Sequence, residues 1–367
     1  MAAAIGSSKS AQELRLQALR RLLLKRGADA LLVSHYPNIF YLCGFTGSSG
    51  LLLVEHRRAT LFTDWRYTIQ GREEVSAARV LVTSKPLFEA AGEEILRRDL
   101  SFVGFSGSQL SVKQKRMLTR AVGPKTRWLD YDLVVESLRA VKDASEISRI
   151  RAAARLACAV LEDVLSFIKP GVKELEIAAE LDYRMRKFGA SGPSFETIVA
   201  SGRRSTLPHA RPTSKSIRKN ELVVLDLGAI LFNYCSDVTR TVYLGKAPAR
   251  VRRWYQAVAE AQEAARQAIR PGVSAQAVDE AARSVLRQFK LDQFFTHSTG
   301  HGLGIEVHET PRLGRNDSSV LREGNVLTIE PGVYVEGVGG IRIEDDVVVT
   351  SRGAERITTT TREFLEL

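Results

Sequence analysis

The period of the hydrophobic positions changes several times along the chain. Over residues 10–26 leucines recur at helical spacing among charged residues, and Gly27 stands where a helix C-cap is expected. Five short apolar runs follow, ALLVS, GLLLVE, ATLFTD, RVLVTS and SFVGFS, separated by Gly, Pro and charged residues. They read as strands alternating with helices near 87–98 and 111–121, an α/β pattern that ends near Arg139. From 145 to 168 the positions Ile147, Ile150, Ala154, Ala157, Val160, Leu161 and Val164 keep helical spacing until Pro170-Gly171. A second helix is predicted over 175–188. Strand-and-turn texture then takes over in ETIVASG, ELVVLDLGAILF and SDVTRTVYLG. A helix pair follows over 251–269 and 275–289, and strands return from Gly302 onward. The expected organisation is two domains: an α/β domain over 1–139 and an α+β domain over 140–367.

The second domain contains an internal repeat. In VVLDLGAILFNYCSDVTRTV a carboxylate is followed two residues later by Gly, then a turn, then a second carboxylate opening an apolar strand. VLTIEPGVYVEGVGGIRIEDDVVV repeats that plan, and a predicted helix pair precedes each copy. A duplicated half-domain brings its two hairpins together across a pseudo-twofold axis, so four carboxylates converge on one point.

Composition narrows the picture. At 367 residues the chain exceeds what one hydrophobic core usually supports. With 44% hydrophobic and 26% charged residues it is ordinary for a water-soluble protein, and no run is apolar enough to cross a bilayer. The opening MAAAIGSSKSAQE has no basic segment followed by an apolar one, so no secretory signal is read there and the cytoplasm is the expected location. Cys43, Cys158 and Cys235 lie far apart without a Cys-x-x-Cys pair, which argues against a disulfide framework or a thiolate zinc site. The net charge of +11 suggests either an anionic partner or simply a basic surface. The basic residues are scattered among leucines in stretches such as RLQALRRLLLKR, and no nucleic-acid partner is expected.

Candidate chemistry begins with the acids. Asp226 sits in a strand otherwise apolar on both faces, opposite the face of Val223, Leu225 and Leu227. A carboxylate so placed must be protonated, paired with a cation or bound to a metal. Glu330 in NVLTIEPGVYV and Glu344 in GIRIEDDVVV pose the same problem. A single such acid reads as a satisfied structural carboxylate; several in duplicated contexts point to a metal. Of six histidines, His209, His297, His301 and His308 fall in the second domain, three of them in THSTGHGLGIEVHE. Imidazole is a frequent ligand for catalytic divalent metals and the usual acid–base group near neutral pH. Two motifs are excluded. His297 and His301 are four apart, but Ser298 replaces the glutamate of a zinc-protease helix, and Gly300 and Gly302 disfavour helix. GHGLG lacks the spacing and βαβ context of a dinucleotide loop.

The set LDLGA, SDVTRTV, GHGLGIEVHE, TIEPGVY and GIRIEDDVVV resembles, in order and spacing, the five metal-ligand blocks of the pita-bread metallopeptidases. The resemblance implies that Asp226, Asp237, His301, Glu330 and Glu344 bind two divalent metal ions, manganese first, with Co²⁺ or Zn²⁺ as alternatives. It also implies a pita-bread catalytic domain with pseudo-twofold duplicated halves. His297, Arg342, PNIFYLCGFTGSSGLLLV and LFTDWRY resemble the aminopeptidase P and prolidase branch, with a creatinase/prolidase-like N-terminal α/β domain. That branch implies hydrolysis of an N-terminal Xaa-Pro bond by a metal-bridged hydroxide, on short peptides with proline second, by a homodimer. It further implies that Glu330 takes the proton of the attacking water, that His308 and His209 hold the substrate, and that His297 and Arg342 shape the proline side. Tyr234 and Thr239 are read either as groups orienting the ligands or as ordinary strand residues. The alternative of a prolidase restricted to dipeptides needs a cation near the proline carboxylate, for which Arg312 and Arg315 are candidates. Less favoured alternatives are a creatinase-like enzyme without metals and a binding protein of the same fold.

Overall fold

The computed structural model describes residues 10–367. Residues 1–9, which carry most of the segment read as lacking a secretory signal, lie outside it. Residues cluster into two compact units that divide between Arg139 and Ala140.

The first unit is built on a six-stranded mixed sheet in the order Arg79–Val82, Ala59–Thr63, Leu51–Glu55, Ala30–Val33, Phe102–Phe105, Arg127–Asp130. Helix Ala11–Arg26 starts where Ser10 and Glu13 form a reciprocal capping box, and it ends at Gly27 with φ 70°. Its buried Leu16, Leu19 and Leu23 form the apolar stripe that the spacing predicts. All five apolar runs form strands, and helices Leu87–Arg97 and Val112–Val122 pack over the sheet through Ala91, Ile95, Leu118 and Val122. Two elements escape the periodicity for physical reasons. Helix Tyr36–Cys43 is eight residues long and mostly buried, so it shows no polar face. Strand Arg127–Asp130 is an edge strand, exposed at both ends.

The second unit repeats one plan twice. Helices Ala144–Val164 and Glu174–Lys187 pack on an antiparallel sheet ordered Val238–Leu244, Glu221–Leu227, Ile198–Ser201. The seam is apolar: Ala157, Leu161, Leu181 and Met185 meet Val223, Leu225, Leu227 and Val242. Helices Ala249–Ala268 and Ala275–Gln288 then cover a five-stranded sheet ordered Glu309–Leu313, Gly300–Gly302, Val326–Ile329, Asp345–Thr350, Gly353–Arg356. Here Val258, Ala261, Val278 and Leu286 meet Leu327, Ile329, Val347 and Val349. A hairpin of Gly332–Val335 with Gly339–Arg342 completes the second half. Val223, Leu225 and Leu227 face the helices, so alternation turns Asp226 to the opposite side of its strand. Among the described residues no helix is long and apolar enough to cross a membrane. The three cysteines are free and buried.

Candidate metal centre and the cleft beside it

The two halves meet strand to strand. Asp226 stands opposite Thr239 in the first hairpin, and Thr239 in turn receives Glu344 from the second half, whose backbone N–H donates to the Thr239 carbonyl at 3.1 Å. Thr241 repeats the stitch: its hydroxyl donates to the Arg342 carbonyl at 2.9 Å and accepts the Arg342 N–H at 3.1 Å. One step further along, the Asp237 N–H donates to Asp346 Oδ2 at 3.0 Å. This cross-half ladder carries acids from both repeats to one place. Ligand atoms of Asp237, His301 and Glu344 lie within 4.8 Å of one another. His301 Nε2 is 3.8 Å from Asp237 Oδ2 and 3.5 Å from Glu330 Oε1. Asp226 is brought alongside through its ion pair with Arg342.

The histidine is presented by backbone crowding. A Cβ at Gly300 would lie 2.0 Å from the Thr328 carbonyl oxygen, and one at Gly302 would lie 2.4 Å from that of Thr310, so only glycine fits on either side of His301. The His301 N–H donates to Thr328 Oγ1 at 3.1 Å. Its Nδ1 lies 3.0 Å from the Gly302 carbonyl, which assigns the ring proton to Nδ1 and leaves the Nε2 lone pair aimed at the acids. Glu330 is set by its own N–H, which donates to the Thr299 carbonyl at 2.7 Å.

Does a cation fit these residues? Asp226 Oδ1, Asp237 Oδ1 and Glu344 Oε1 are buried and have no hydrogen-bond partner among the described residues. Asp226 is 6% exposed, Asp237 5% and Glu344 2%, so water does not satisfy these oxygens cheaply. Burial pushes Asp237 well above the ordinary carboxylate range, and repulsion from Glu344, Asp226, Asp346 and Glu330 adds to it. Burial likewise raises Glu344, followed by repulsion from Glu330 and Asp226. Burial lifts Glu330 to about 7, with Arg342 and Arg312 pulling the other way and Asp226 reinforcing the rise. Among the described residues one guanidinium, Arg342, faces this cluster at contact distance, and it is committed to Asp226. Oxygen-rich donors, one neutral imidazole and orphaned buried oxygens are what divalent cations require.

Around this centre the other named residues take up distinct places. Arg342 donates to Tyr334 Oη at 2.7 Å, to the Pro208 carbonyl at 3.1 Å and, through Nε, to Thr239 Oγ1 at 3.1 Å. His297 Nδ1 lies 2.8 Å from the Ser298 carbonyl and its Nε2 2.9 Å from Tyr334 Oη, which makes Nε2 the acceptor of the tyrosine proton. Burial drives His297 down to about 3, with Arg342 adding to the effect. His308 and His209 are exposed. The rings of His301 and His308 pack edge to face at 4.5 Å. Burial lowers the His308 pKa first, His209 and Arg312 add to the effect, and Asp226 opposes it. A cavity of about 760 Å³ opens beside His297 and Ser298, lined also by Arg283, Arg312 and Arg315. Arg312 reaches Ser298 Oγ at 3.1 Å.

Thr239 and Tyr234 are separated by their partners. Thr239 donates to Glu344 Oε2 at 2.6 Å, whereas Tyr234 donates to Glu146 Oε1 at 3.0 Å, on helix Ala144–Val164. Sequence reasoning missed Asp346 and Tyr334. Alternation from Glu344 puts Asp346 on the same face, a signal present in IEDD. Nothing local marks Tyr334, whose hydroxyl is met by Arg342 of the same hairpin and by His297, 37 residues away.

Comparison with known proteins places these features. Residues 148–351 match the model of metallopeptidase family M24. The chain belongs to that family. Residues 15–141 match the creatinase/prolidase N-terminal domain. An Xaa-Pro dipeptidase of Pyrococcus horikoshii is 35% identical over 342 residues, 93% of this chain and 95% of that protein. Among solved structures, an Xaa-Pro dipeptidase from Bacillus anthracis superposes with a TM-score of 0.94 at 35% identity, covering 97% of this chain and 100% of that one. An X-Pro aminopeptidase from Thermotoga maritima gives 0.89 at 36% identity, covering 95% and 99%. The family fold is the pita-bread catalytic domain preceded by a creatinase-like domain, and the chain is a metal-dependent peptidase.

Proposed function

We propose that this peptidase hydrolyses the bond between an N-terminal residue and a following proline, with Asp226, Asp237, His301, Glu330 and Glu344 holding two divalent ions. The observation that carries the reading is the gathering of these five side chains with three buried carboxylate oxygens left without partners. When bound, a pair of divalent ions supplies Lewis acidity and lowers the pKa of water towards neutrality. Manganese suits the oxygen-rich set, with cobalt or zinc as substitutes.

In this reading Glu330 Oε accepts the proton of the attacking water. The departing nitrogen of an Xaa-Pro bond is a tertiary amide without hydrogen, so it has to receive a proton before it leaves. His308 and His209, both exposed and within each other's field, hold the substrate and stabilise charge that develops on its carbonyl oxygen. Arg342 fixes Asp226 and, through Tyr334, the neutral His297, giving the proline side a rigid wall. A homodimer in the cytoplasm belongs to the same proposal and rests on the family resemblance.

A second reading is a prolidase confined to dipeptides. It is favoured by Arg312, held at Ser298 in the cavity beside His297, where a free proline carboxylate finds a cation. Manganese-reloaded protein assayed on Xaa-Pro, Xaa-Pro-Xaa and Xaa-Ala peptides tests both. Cleavage of proline peptides alone supports the proposal, and the ratio of dipeptide to tripeptide turnover separates the two readings. Equal cleavage of Xaa-Ala, or no cleavage with any divalent ion, contradicts it.

A further inference from the structure

The first unit holds a cavity of about 600 Å³ whose lining includes five arginines, Arg20, Arg57, Arg58, Arg79 and Arg98, and one acid, Glu13. They come from separate elements. Arg20 lies on helix Ala11–Arg26, Arg57 and Arg58 on the turn between strands Leu51–Glu55 and Ala59–Thr63, Arg79 at the start of edge strand Arg79–Val82, and Arg98 at the end of helix Leu87–Arg97. The turn is closed by the Glu55 N–H donating to the Arg58 carbonyl at 2.8 Å, and Arg79 stands beside Thr60 in the sheet.

These cations divide into two sets. Arg98 is held by Glu55 and Glu94 and donates to Thr60 Oγ1 at 3.3 Å, while Arg20 donates through Nε to the Glu55 carbonyl at 2.9 Å. Glu94 lies within the field of Arg58 and Arg79, yet both its oxygens are occupied, by Arg97 at 2.7 Å and by Arg98. Glu13 is committed to its capping box, accepting the Ser10 N–H at 2.7 Å. Arg57, Arg58 and Arg79 form no ion pair or side-chain hydrogen bond among the described residues, and all three are exposed. Three guanidiniums that line one hollow without an ion pair repel each other, and a bound anion relieves that repulsion.

The chemistry of the occupant follows from the donors. Guanidinium forks match phosphate oxygens two at a time, and several forks on one hollow suit several anionic groups on one molecule. The volume is that of a small-molecule site, and Leu16, Ala59 and Ala77 give part of its wall an apolar character. We infer that this cavity binds a small anion carrying two or more linked phosphate groups, either free or on a nucleoside.

Isothermal titration of the full-length, metal-loaded protein with magnesium-saturated tripolyphosphate, at fixed ionic strength, tests this directly. We expect one equivalent to bind, and the double variant R58A/R79A to weaken binding about 100-fold, as the loss of two charge-assisted contacts implies. The double lysine variant R58K/R79K, which keeps charge but loses the forks, should fall between them. Peptide hydrolysis by R58A/R79A should match that of the unmodified protein, and tripolyphosphate captured by active-site metal would bind R58A/R79A undiminished. Magnesium ATP binding more tightly than tripolyphosphate identifies a nucleotide as the source, and equal or weaker binding identifies the phosphate chain alone. Absence of binding by tripolyphosphate, equal affinity for inorganic monophosphate, or unchanged affinity in R58A/R79A overturns the inference.

Discussion

Thr239 donates its hydroxyl to Glu344 Oε2 at 2.6 Å and accepts Arg342 Nε at 3.1 Å, so one side chain of the first half fixes two of the second. Replacing it with valine keeps the shape and removes both bonds. Loss of such an orienting group typically costs about 10–100-fold in metal affinity. We therefore expect Thr239→Val to bind Mn²⁺ about 10–100-fold more weakly in a chelator competition, while turnover at saturating metal changes much less. Unchanged affinity would assign Thr239 to strand packing alone.

His308 separates binding of metal from turnover. It is exposed beside His301, with the two rings 4.5 Å apart, and lies outside the buried acid cluster. His308→Gln should lower kcat by about 10²–10⁴ on an Xaa-Pro peptide while metal content stays at the level of the unmodified protein. Elemental analysis alongside steady-state kinetics checks both halves of that statement. A variant that has lost metal would place His308 among the ligands.

Much of this arrangement is legible in the sequence, and the limit lies in contacts between residues far apart along the chain. Asp226, Glu330 and Glu344 stand out because each interrupts an apolar run, Asp226 within a strand and the two glutamates just outside one, and His301 because three histidines cluster in a Gly-rich stretch. The paired helices and matching hairpins announce the duplication. Asp346 and Tyr334 are different. Asp346 matters because the Asp237 N–H comes to it from 109 residues away, and Tyr334 because Arg342 and His297 converge on its hydroxyl. The Asp237–Asp346 contact is set by how the two halves dock, and the meeting at Tyr334 by how its hairpin lies against the segment that carries His297, neither of which local spacing encodes. Helix Tyr36–Cys43 was hidden for the opposite reason: it is buried nearly all round and so has no period to read.

Tyr334 yields a third prediction. Its hydroxyl receives Arg342 Nη1 at 2.7 Å and faces His297 Nε2 at 2.9 Å. Tyr334→Phe leaves a buried guanidinium donor and a buried imidazole acceptor unpaired, at a cost of about 1–3 kcal/mol in stability. Urea denaturation measures that cost. If His297 and Arg342 form the proline side of the cleft, KM for Xaa-Pro peptides should rise as well, whereas the metal dissociation constant should not move.

The acid limb of stability offers a fourth test, away from the site. Glu263 accepts hydrogen bonds from Arg266 at 2.9 Å, from Gln267 at 2.9 Å and from Arg362 at 3.1 Å. Arg266 first, then Gln267 and Arg362, hold its pKa down to about 2 against the opposing effect of burial. A depressed carboxylate stabilises the fold above its ordinary pKa, and that contribution is lost as pH falls from there through about 2. Glu263→Gln should therefore be less stable than the parent at pH 7, and the gap should close between about pH 5 and 2. A gap that is constant across that range would mean the charge of Glu263 contributes nothing.

The central claim is that five side chains from two half-domains hold a pair of divalent ions, and counting those ions tests it most directly. Metal-stripped protein titrated with Mn²⁺ should take up two equivalents, and Asp237→Ala, with its partners Asp226, His301, Glu330 and Glu344 intact, should take up fewer and lose peptide hydrolysis with them. Two equivalents retained in Asp237→Ala, or one or none in the unmodified protein, would contradict the account.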